Sequence, residues 1–384
     1  MFQGIPTFIL LSRLLKGSGR RPPLEPKSPT PEMLGAVSVI VPTLNEVERI
    51  DPALAGLSRQ SYEMREAIVV DSHSQDGTQE RVKAAASLDP RFRLLTDDPL
   101  PPGWVGRPWA LHTGFLKSSP KSEWILGIDA DTQPRSGLLA SLLGAAAEEG
   151  YDLVSLSPQF ILRYPGEWWL QPALLMTLLY RFDSAGVREQ MPERVMANGQ
   201  CFLCRRAVLE QLEGYSRAAS SFCDDVTLAR YAAARGFKVG FLDGAKVIRV
   251  RMYEGMRETW REWGRSLDLK DASSSNLLWG DLWLLLSTQG LPILLCPVLL
   301  MYLGVGYVFP TLKAAIGLNL FLLAIRVALL WAIFPSYYRD SKFSLPSQLF
   351  WLSPLADPLA VLRIFLSAFQ KPTQWRGRQY GSRK

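Results

Sequence analysis

Two long apolar stretches near the end of the chain, residues 282–309 and 314–334, constrain its fold more than any other feature. A bilayer core is crossed by about 20 consecutive apolar residues in a helix. Both stretches meet that length, although Gly290, Pro292 and Pro297 interrupt the first and Arg326 charges the second. A third stretch, 349–369, holds Pro354, Asp357, Pro358 and Arg363, and reads equally as re-entrant or interfacial. Hydrophobic residues make up 48% of the 384-residue chain while charged ones still reach 21%, so polar and apolar parts must be segregated. A polar head on a membrane base follows.

The amino-terminal run 5–15 is too short to span and reads as a partial anchor lying on the membrane surface, followed by a stiff Pro-rich linker at 21–31. The net charge is +7, and several of the positive residues lie beside apolar segments: Lys16, Arg20, Arg21 and Lys27 near the start, Lys371, Arg376, Arg378, Arg383 and Lys384 at the end. That placement suits an anionic cytoplasmic membrane surface. It does not suit nucleic acid, which calls for a basic stripe interleaved with stacking aromatics. Two spans, or three with an amino-terminal one, would keep the basic tail cytosolic. Cys201, Cys204, Cys223 and Cys296 do not form a secreted disulfide framework, and C-x-x-C at 201–204 lacks a second pair at zinc spacing.

Between these ends the pattern is α/β. Residues 37–41, 67–70, 92–95, 124–128, 153–156 and 199–203 are short apolar runs of the kind buried in parallel sheets, separated by helical periodicity at 50–57, 78–88 and 224–235. Polar residues directly follow the strands, where open α/β sheets bind ligands. After the fourth run comes Asp129-Ala130-Asp131. Residues i and i+2 at a strand end point the same way, so two carboxylates converge. Such a pair suits a hard cation, Mg²⁺ or Mn²⁺, completed by phosphate oxygens of a substrate. An exposed pair of loop acids is the competing reading. After the second run, Asp71 is placed to accept from a nucleobase or ribose, and Asp76-Gly77-Thr78 reads as a turn and helix start. Arg107, in a Pro/Gly-rich loop between Trp104 and Trp109, has the bidentate fork that fits a diphosphate.

In order, VSVIVPTLNE, IVVDSHSQDGT, GIDADT and CDDVTLARY resemble the family 2 glycosyltransferases of the GT-A fold, over residues 37 to about 250. PPGWVGRPWALHTG and the distant WRGRQY resemble a membrane branch that includes hopene-associated glycosyltransferases and the cyanobacterial carotenoid 2'-O-glycosyltransferases acting on myxol-type carotenoids. The resemblance implies a Rossmann-like mixed sheet followed by carboxyl-terminal transmembrane helices. It implies a UDP- or GDP-sugar donor bound by Pro42, Asn45, Glu46 and Asp71, and a metal and diphosphate held by Asp131 and Asp129. It further implies Asp225 as general base toward a lipid-like acceptor, with Asp224 beside it on the acceptor side. The residues themselves agree on the base: the imidazoles are His73 and His112, neither on the acceptor side, whereas an acid opening an amphipathic helix is held rigidly. Helix capping is expected to describe one of the two acids.

Two departures stand out. Ser72 occupies the place where family members often carry a second acid, and Arg257-Glu258-Thr259-Trp260-Arg261 inverts the final pair of the Q/R-x-x-R-W element of processive relatives. The segment 251–268 instead reads as an interfacial helix, with Trp260 and Trp263 at the lipid boundary among Arg257, Arg261 and Arg265. The expected division is 1–35 anchor and linker, 36–250 transferase domain, 251–276 interfacial region, 277–370 membrane helices and 371–384 basic tail. A hopanoid or polyprenyl-phosphate transferase and a noncatalytic nucleotide-sugar-binding scaffold are the alternatives to a carotenoid glycosyltransferase.

Overall fold

The computed structural model describes residues 2–97, 99–188, 191–266, 269–339 and 345–370, with the backbone of 374–375 and 378–379. Most of the expected basic tail, residues 267–268 and the side chain of Arg265 lie outside the described residues. The chain forms two compact units: an α/β unit of Arg20–Phe160 with Ala185–Met252, and a helical unit of Met1–Gly19, Ile161–Ser184 and Tyr253–Lys371.

The chain begins with helix α1 (Gly4–Lys16), part of the helical unit. The α/β unit then follows the alternation seen in the sequence: β1 (Val37–Thr43), α2 (Asp51–Ser58), β2 (Met64–Asp71), α3 (Thr78–Leu88), β3 (Phe92–Thr96), α4 (Gly106–Lys117), β4 (Trp124–Gly127), β5 (Thr132–Pro134), α5 (Leu138–Glu149), β6 (Leu153–Ser157) and β7 (Gln159–Ile161). After α6 (Pro165–Arg181), which joins the helical unit, come β8 (Phe202–Arg205), α7 (Arg206–Gln211), α8 (Asp224–Ala234), β9 (Val239–Asp243) and β10 (Ile248–Val250). The main sheet has the order β3-β2-β1-β4-β8-β6-β9, mixed because β8 runs antiparallel to both neighbours. Every residue of β1 is buried, which explains its mostly apolar, β-branched sequence. Helix α4 lies close on this strand because Gly114 has no side chain; a Cβ there would sit 2.4 Å from Ile40 Cγ2. Parallel register aligns Thr43 with Asp71 and Asp71 with Thr96, so the loops leaving three strands open at one sheet edge.

The Pro-rich stretch is not a linker. Leu24 is buried in the sheet core and donates its N–H to Asp243 O at 2.8 Å, while Arg21 N–H bonds Gly186 O at 2.8 Å. Ser141 Oγ donates to Glu25 O at 2.7 Å and accepts from Lys27 N–H at 3.0 Å. An extended, proline-rich chain has few backbone donors to satisfy and so straps along a surface at little cost.

The helical unit adds α9 (Gly255–Ser266), α10 (Ser275–Leu285), α11 (Leu291–Gly304), α12 (Pro310–Ile333) and α13 (Asp357–Phe369). Among the described residues three helices are long and apolar enough to cross a membrane: Ser275–Gly304, Pro310–Ser336 and Pro346–Phe369. The expected break at Gly290 and Pro292 does not occur, because a π-helical turn, Leu286–Gly290, joins α10 to α11 and absorbs the irregularity. Asp357 does not disqualify the third helix. Its carboxylate accepts from Arg326 Nε at 2.7 Å and Nη2 at 3.0 Å, and from Gln289 Nε2 at 3.0 Å, with both ion-pair side chains 2% exposed. The units also cut across the linear division expected at residues 35 and 250, since α1 and the apolar α6 pack with the carboxyl-terminal helices.

Breaking one partner of a buried ion pair leaves an uncompensated charge. Arg326→Leu is expected to destabilise the protein by about 3–5 kcal/mol, and Arg326→Leu with Asp357→Leu to recover most of that loss. Thermal unfolding in detergent reads both; equal losses in the single and double variants would contradict it.

Candidate active site

At the open sheet edge, the β1 and β2 loops are laced together by side-chain bonds. Asn45 takes a left-handed backbone, φ 55°, that lets its N–H reach Ser74 Oγ at 2.8 Å and its Oδ1 accept from Gln75 N–H at 3.0 Å. Glu46 N–H bonds Thr78 Oγ1 at 2.9 Å and Val47 N–H bonds Asp76 Oδ2 at 2.9 Å. Asp76 also accepts from Thr78 N–H at 3.0 Å, which is the turn role expected for it. These bonds hold Asn45 and Glu46 against the loop that follows Asp71, and the parallel register sets Pro42 opposite Val70, next to Asp71.

Asp71 does something other than expected. Its carboxylate is fully buried and accepts from Ser74 N–H (2.9 Å), Ser74 Oγ (2.6 Å), Gln79 Nε2 (2.7 Å) and Thr43 Oγ1 (3.1 Å). Those donors occupy both oxygens, so Asp71 organises the loop that frames the cleft instead of facing a donor base. The acid absent at Ser72 has a counterpart one strand over. Ser72 Oγ donates to Asp97 Oδ2 at 2.6 Å, and Asp97 is buried just past β3.

The second half of the site gathers around Arg107, at the start of α4. Its Nε donates to Asp129 Oδ1 at 2.9 Å, Nη2 donates to Gly199 O at 2.7 Å, and Nη1 bonds Asp224. The fork assigned to a diphosphate is thus engaged by two acids of this chain, and Arg107 reads as the residue that positions them. Asp224 and Asp225 are the first two residues of α8, after an N-cap Cys223 that makes no side-chain bond, and the Asp225 carboxyl takes a backbone hydrogen bond from Val226 in the first turn. Asp224 is 4% exposed and tied to Arg107. Asp225 is less enclosed, and its Oδ2 accepts from Gly199 N–H at 2.6 Å. The lack of a side chain at Gly199 leaves room for that guanidinium, which a Cβ there would displace. Leu111, Phe202 and Tyr215 wall the inner side.

Burial pushes both carboxyls upward, Asp224 to about 7, with the Asp129 charge adding and Arg107 opposing. Burial holds His112 below the usual imidazole range, and its Nδ1 accepts from Tyr215 N–H at 3.3 Å, so it is not placed as a base. Buried Cys201 and Cys204 have thiols pushed upward by burial, which fits core packing rather than redox or metal chemistry.

Asp129 and Asp131 are half-buried on either side of buried Ala130, in the turn between β4 and β5 and not in the strand itself as the sequence suggested. Among the described residues no three His, Cys, Asp or Glu side chains cluster as a metal site. The donor set therefore fits a cation only if a ligand's phosphate oxygens complete it. Trp260, Trp263 and Arg261 belong to the helical unit. Trp263 is 3% exposed and edge-on to Tyr253, and Trp260 lies 5.5 Å from the Arg363 guanidinium of α13. The Trp263 indole faces protein, while Trp260 is half-buried; Arg261 is exposed and paired with Glu262 at 2.8 Å. Sequence reasoning missed Asp97, Gly199 and Tyr215. Asp97 was findable, since it repeats the pattern of an acid after a strand.

Residues 38–213 match the family described as Glycosyl transferase family 2. The chain is 26% identical over 246 residues to 4,4'-diaponeurosporenoate glycosyltransferase of Staphylococcus haemolyticus, covering 63% of this chain and 64% of that one. It is 27% identical over 210 residues to Glycosyltransferase AglE of Haloferax volcanii, covering 53% and 64%. The match thus spans just under two thirds of either relative. A mannosyltransferase of Pyrobaculum calidifontis, solved in complex with GDP-Man and Mn²⁺, superposes with a TM-score of 0.52 at 19% identity, covering 96% of this chain and 98% of that one. At that identity the likeness establishes the fold, the GT-A arrangement of a mixed α/β sheet.

Removing the cation from this cluster leaves three acids facing one another. Arg107→Ala is expected to cost about 3 kcal/mol of stability, the scale for orphaning a buried charge partner. It should also raise the pH needed to ionise the cluster. Denaturant unfolding between pH 5 and pH 8 tests this, and an unchanged midpoint would refute it.

Proposed function

We propose, from the premise that this chain carries a family 2 glycosyltransferase domain of GT-A fold, that it is an inverting, membrane-attached glycosyltransferase. It moves a sugar from a UDP- or GDP-sugar to a hydroxyl of a lipid-like acceptor, of the carotenoid class, with the transferase domain on the cytoplasmic side. The observation that carries the reading is the convergence of two motifs 95 residues apart, Asp129 after β4 and Asp224-Asp225 opening α8, through Arg107 and Gly199. The carotenoid class is supported by the name of the Staphylococcus relative, and myxol-type 2'-O-glycosylation is the specific form favoured by the PPGWVGRPWALHTG segment.

In this scheme Asp225 takes the proton of the acceptor hydroxyl as its oxygen attacks the anomeric carbon, while the bond from that carbon to the diphosphate oxygen breaks in line. One displacement inverts the anomeric centre. Burial places the Asp225 pKa above the usual carboxylate range and closer to working pH, which makes it a stronger base than an exposed aspartate. Gly199 N–H fixes its orientation, and Asp224, neutralised by Arg107, remains a positioning residue. Asp131 and Asp129 would hold a Mg²⁺ or Mn²⁺, which when bound with the donor neutralises charge on the leaving diphosphate.

Asp225→Asn should bind donor normally and lose transfer by a factor on the order of 10² to 10⁴, the usual worth of a general base. A carboxylate acceptor, already ionised at neutral pH, would be indifferent to this change, so retained transfer would point to ester formation instead. In the wild type, activity should fall as pH drops through the raised Asp225 pKa, giving an acid limb above the ordinary aspartate range near 4.

Asp131→Ala and EDTA should each abolish transfer without unfolding the domain. Mass and absorbance of lipid extracts, after incubation of membranes with labelled nucleotide sugars, separate carotenoid from hopanoid and polyprenyl products. Near-normal turnover in EDTA would overturn the metal-assisted scheme.

A further inference from the structure

The helix Pro346–Phe369 has the length and composition to cross a bilayer, but its two ends pack where a crossing helix would not reach. The first two apolar helices supply the frame. Ser275–Gly304 continues unbroken through its π-helical turn, with helical backbone angles at Leu285, Gly290 and Leu291. Residues 305–309 then lead into Pro310–Ser336, and Tyr302 packs edge-on to Tyr307 at the turn. So short a connection makes the two helices antiparallel neighbours. With both crossing, the start of the first and the end of the second share one face, and the 305–309 turn lies at the other.

Both ends of Pro346–Phe369 meet that shared face. At its beginning, the Trp351 ring lies 4.5 Å from Trp331 and the Phe350 ring 5.4 Å from Phe334. Trp331 and Phe334 are 5 and 2 residues short of Ser336, about 8 and 3 Å along the helix. At its far end, Phe365 and Phe369 lie 6.5 and 5.8 Å from Trp279, which is 4 residues, about 6 Å, into Ser275–Gly304. Lys270, ahead of that helix, donates its ammonium to Ser367 O at 2.9 Å and also to Gln370 O. A crossing would carry Phe369 through a hydrocarbon core of about 30 Å, away from Trp279 instead of onto it. Only the middle goes deep. Asp357 bonds Gln289, 14 residues or about 21 Å into the first helix, and Arg326, 10 residues or about 15 Å short of the end of the second. The change from 3-10 to α-helix after Ala356, flanked by Pro354 and Pro358, falls at this deepest point, and proline is where a helix axis bends.

Its side chains sort as an immersed segment requires. Ser353, Asp357, Arg363 and Ser367 are buried against protein, while Leu352, Leu355, Leu359, Leu362, Phe365 and Phe369 form one stripe exposed by 40–64%. Cations mark the shared face at both ends of the segment: the Arg339 guanidinium lies 3.9 Å from the Phe334 ring, and Lys270 holds the last carbonyls of α13. Trp279, Trp331 and Trp351 gather at the same level, as tryptophans do at a membrane–water boundary. We propose that Pro346–Phe369 is a re-entrant segment. It enters the bilayer from the face where Ser275–Gly304 begins, dips to Asp357 and leaves by that face, so that residue 370 emerges beside residue 275. The stripe lies against acyl chains because it continues the apolar exterior of the crossing helices, where Leu286, Leu294, Leu320 and Phe321 are exposed. The inference rests on the first two helices crossing, not on the transfer reaction.

The test is side-specific labelling of the full chain in bacterial membranes with an impermeant maleimide, applied to spheroplasts and to inverted vesicles. Single cysteines replace exposed residues, Ser275→Cys, Gln348→Cys, Gln370→Cys and Val308→Cys; the native cysteines are buried. Positions 275, 348 and 370 should label from one and the same face, and position 308 from the other. Labelling of Gln348→Cys or Gln370→Cys from the face that exposes position 308 would overturn the proposal in favour of a third crossing. Labelling of all four from one face would overturn it as well, since the first two helices would then not cross. In a second measurement, a Trp279→Cys, Phe369→Cys pair should be joined within one chain by a short bismaleimide. Joining only between chains would assign that contact to a second copy and equally overturn the proposal. Turnover is not the readout, so failure here leaves the functional reading untouched.

Discussion

The guanidinium of Arg107 is the interaction on which the α/β unit's candidate site depends. Three acids, Asp129, Asp224 and Asp225, converge where the sheet changes direction. Like charges at that separation in a poorly solvated cleft would drive protonation or push the loops apart. Arg107 resolves the conflict by bonding two of them and a backbone carbonyl at once, and the same carbonyl-bearing residue, Gly199, orients the third through its N–H. The planar fork is what makes this possible; a lysine ammonium, a point charge, would not hold three differently placed acceptors in fixed geometry.

The helical unit answers the same problem among apolar helices. Arg326 and Asp357 neutralise each other, Gln289 ties that pair to α6 through Ala173 O, and Gln3 and Asn319 satisfy each other's amides. Polar side chains between apolar helices specify which helices meet and in what register, because a slip of one residue would leave each of them without its partner. The apolar face of these helices is interchangeable by comparison, since many Leu, Ile and Phe positions are exposed and make few specific contacts.

Loop organisation shows how a familiar motif can be carried by different atoms. Asp71 keeps its place after β2 but serves Ser74, Gln79 and Thr43, while the acid expected beside it is supplied across the sheet by Asp97 through Ser72. Parallel register makes this exchange available: Asp71 stands opposite Thr96, so the residue after β3 reaches the residue after β2.

The amino-acid sequence by itself determined the strands, the acids that follow them and the apolar helices, because each is a local pattern: β-branched runs, acids directly after such a run, and lengths sufficient to cross a bilayer. Tertiary structure alone decided the rest. Whether Arg107 meets a ligand or Asp129 and Asp224, whether Trp263 faces lipid or Tyr253, and whether residues 21–31 swing free or strap the sheet depend on partners from about 10 to more than 200 residues away. The composition around Trp260 and Trp263 suited a lipid boundary as well as a protein interior, and only the packing of α9 against α13 separated the two. For α1 the sequence showed a short apolar run; that Gln3 beside it meets the buried amide of Asn319, 316 residues on, was decided by the packing.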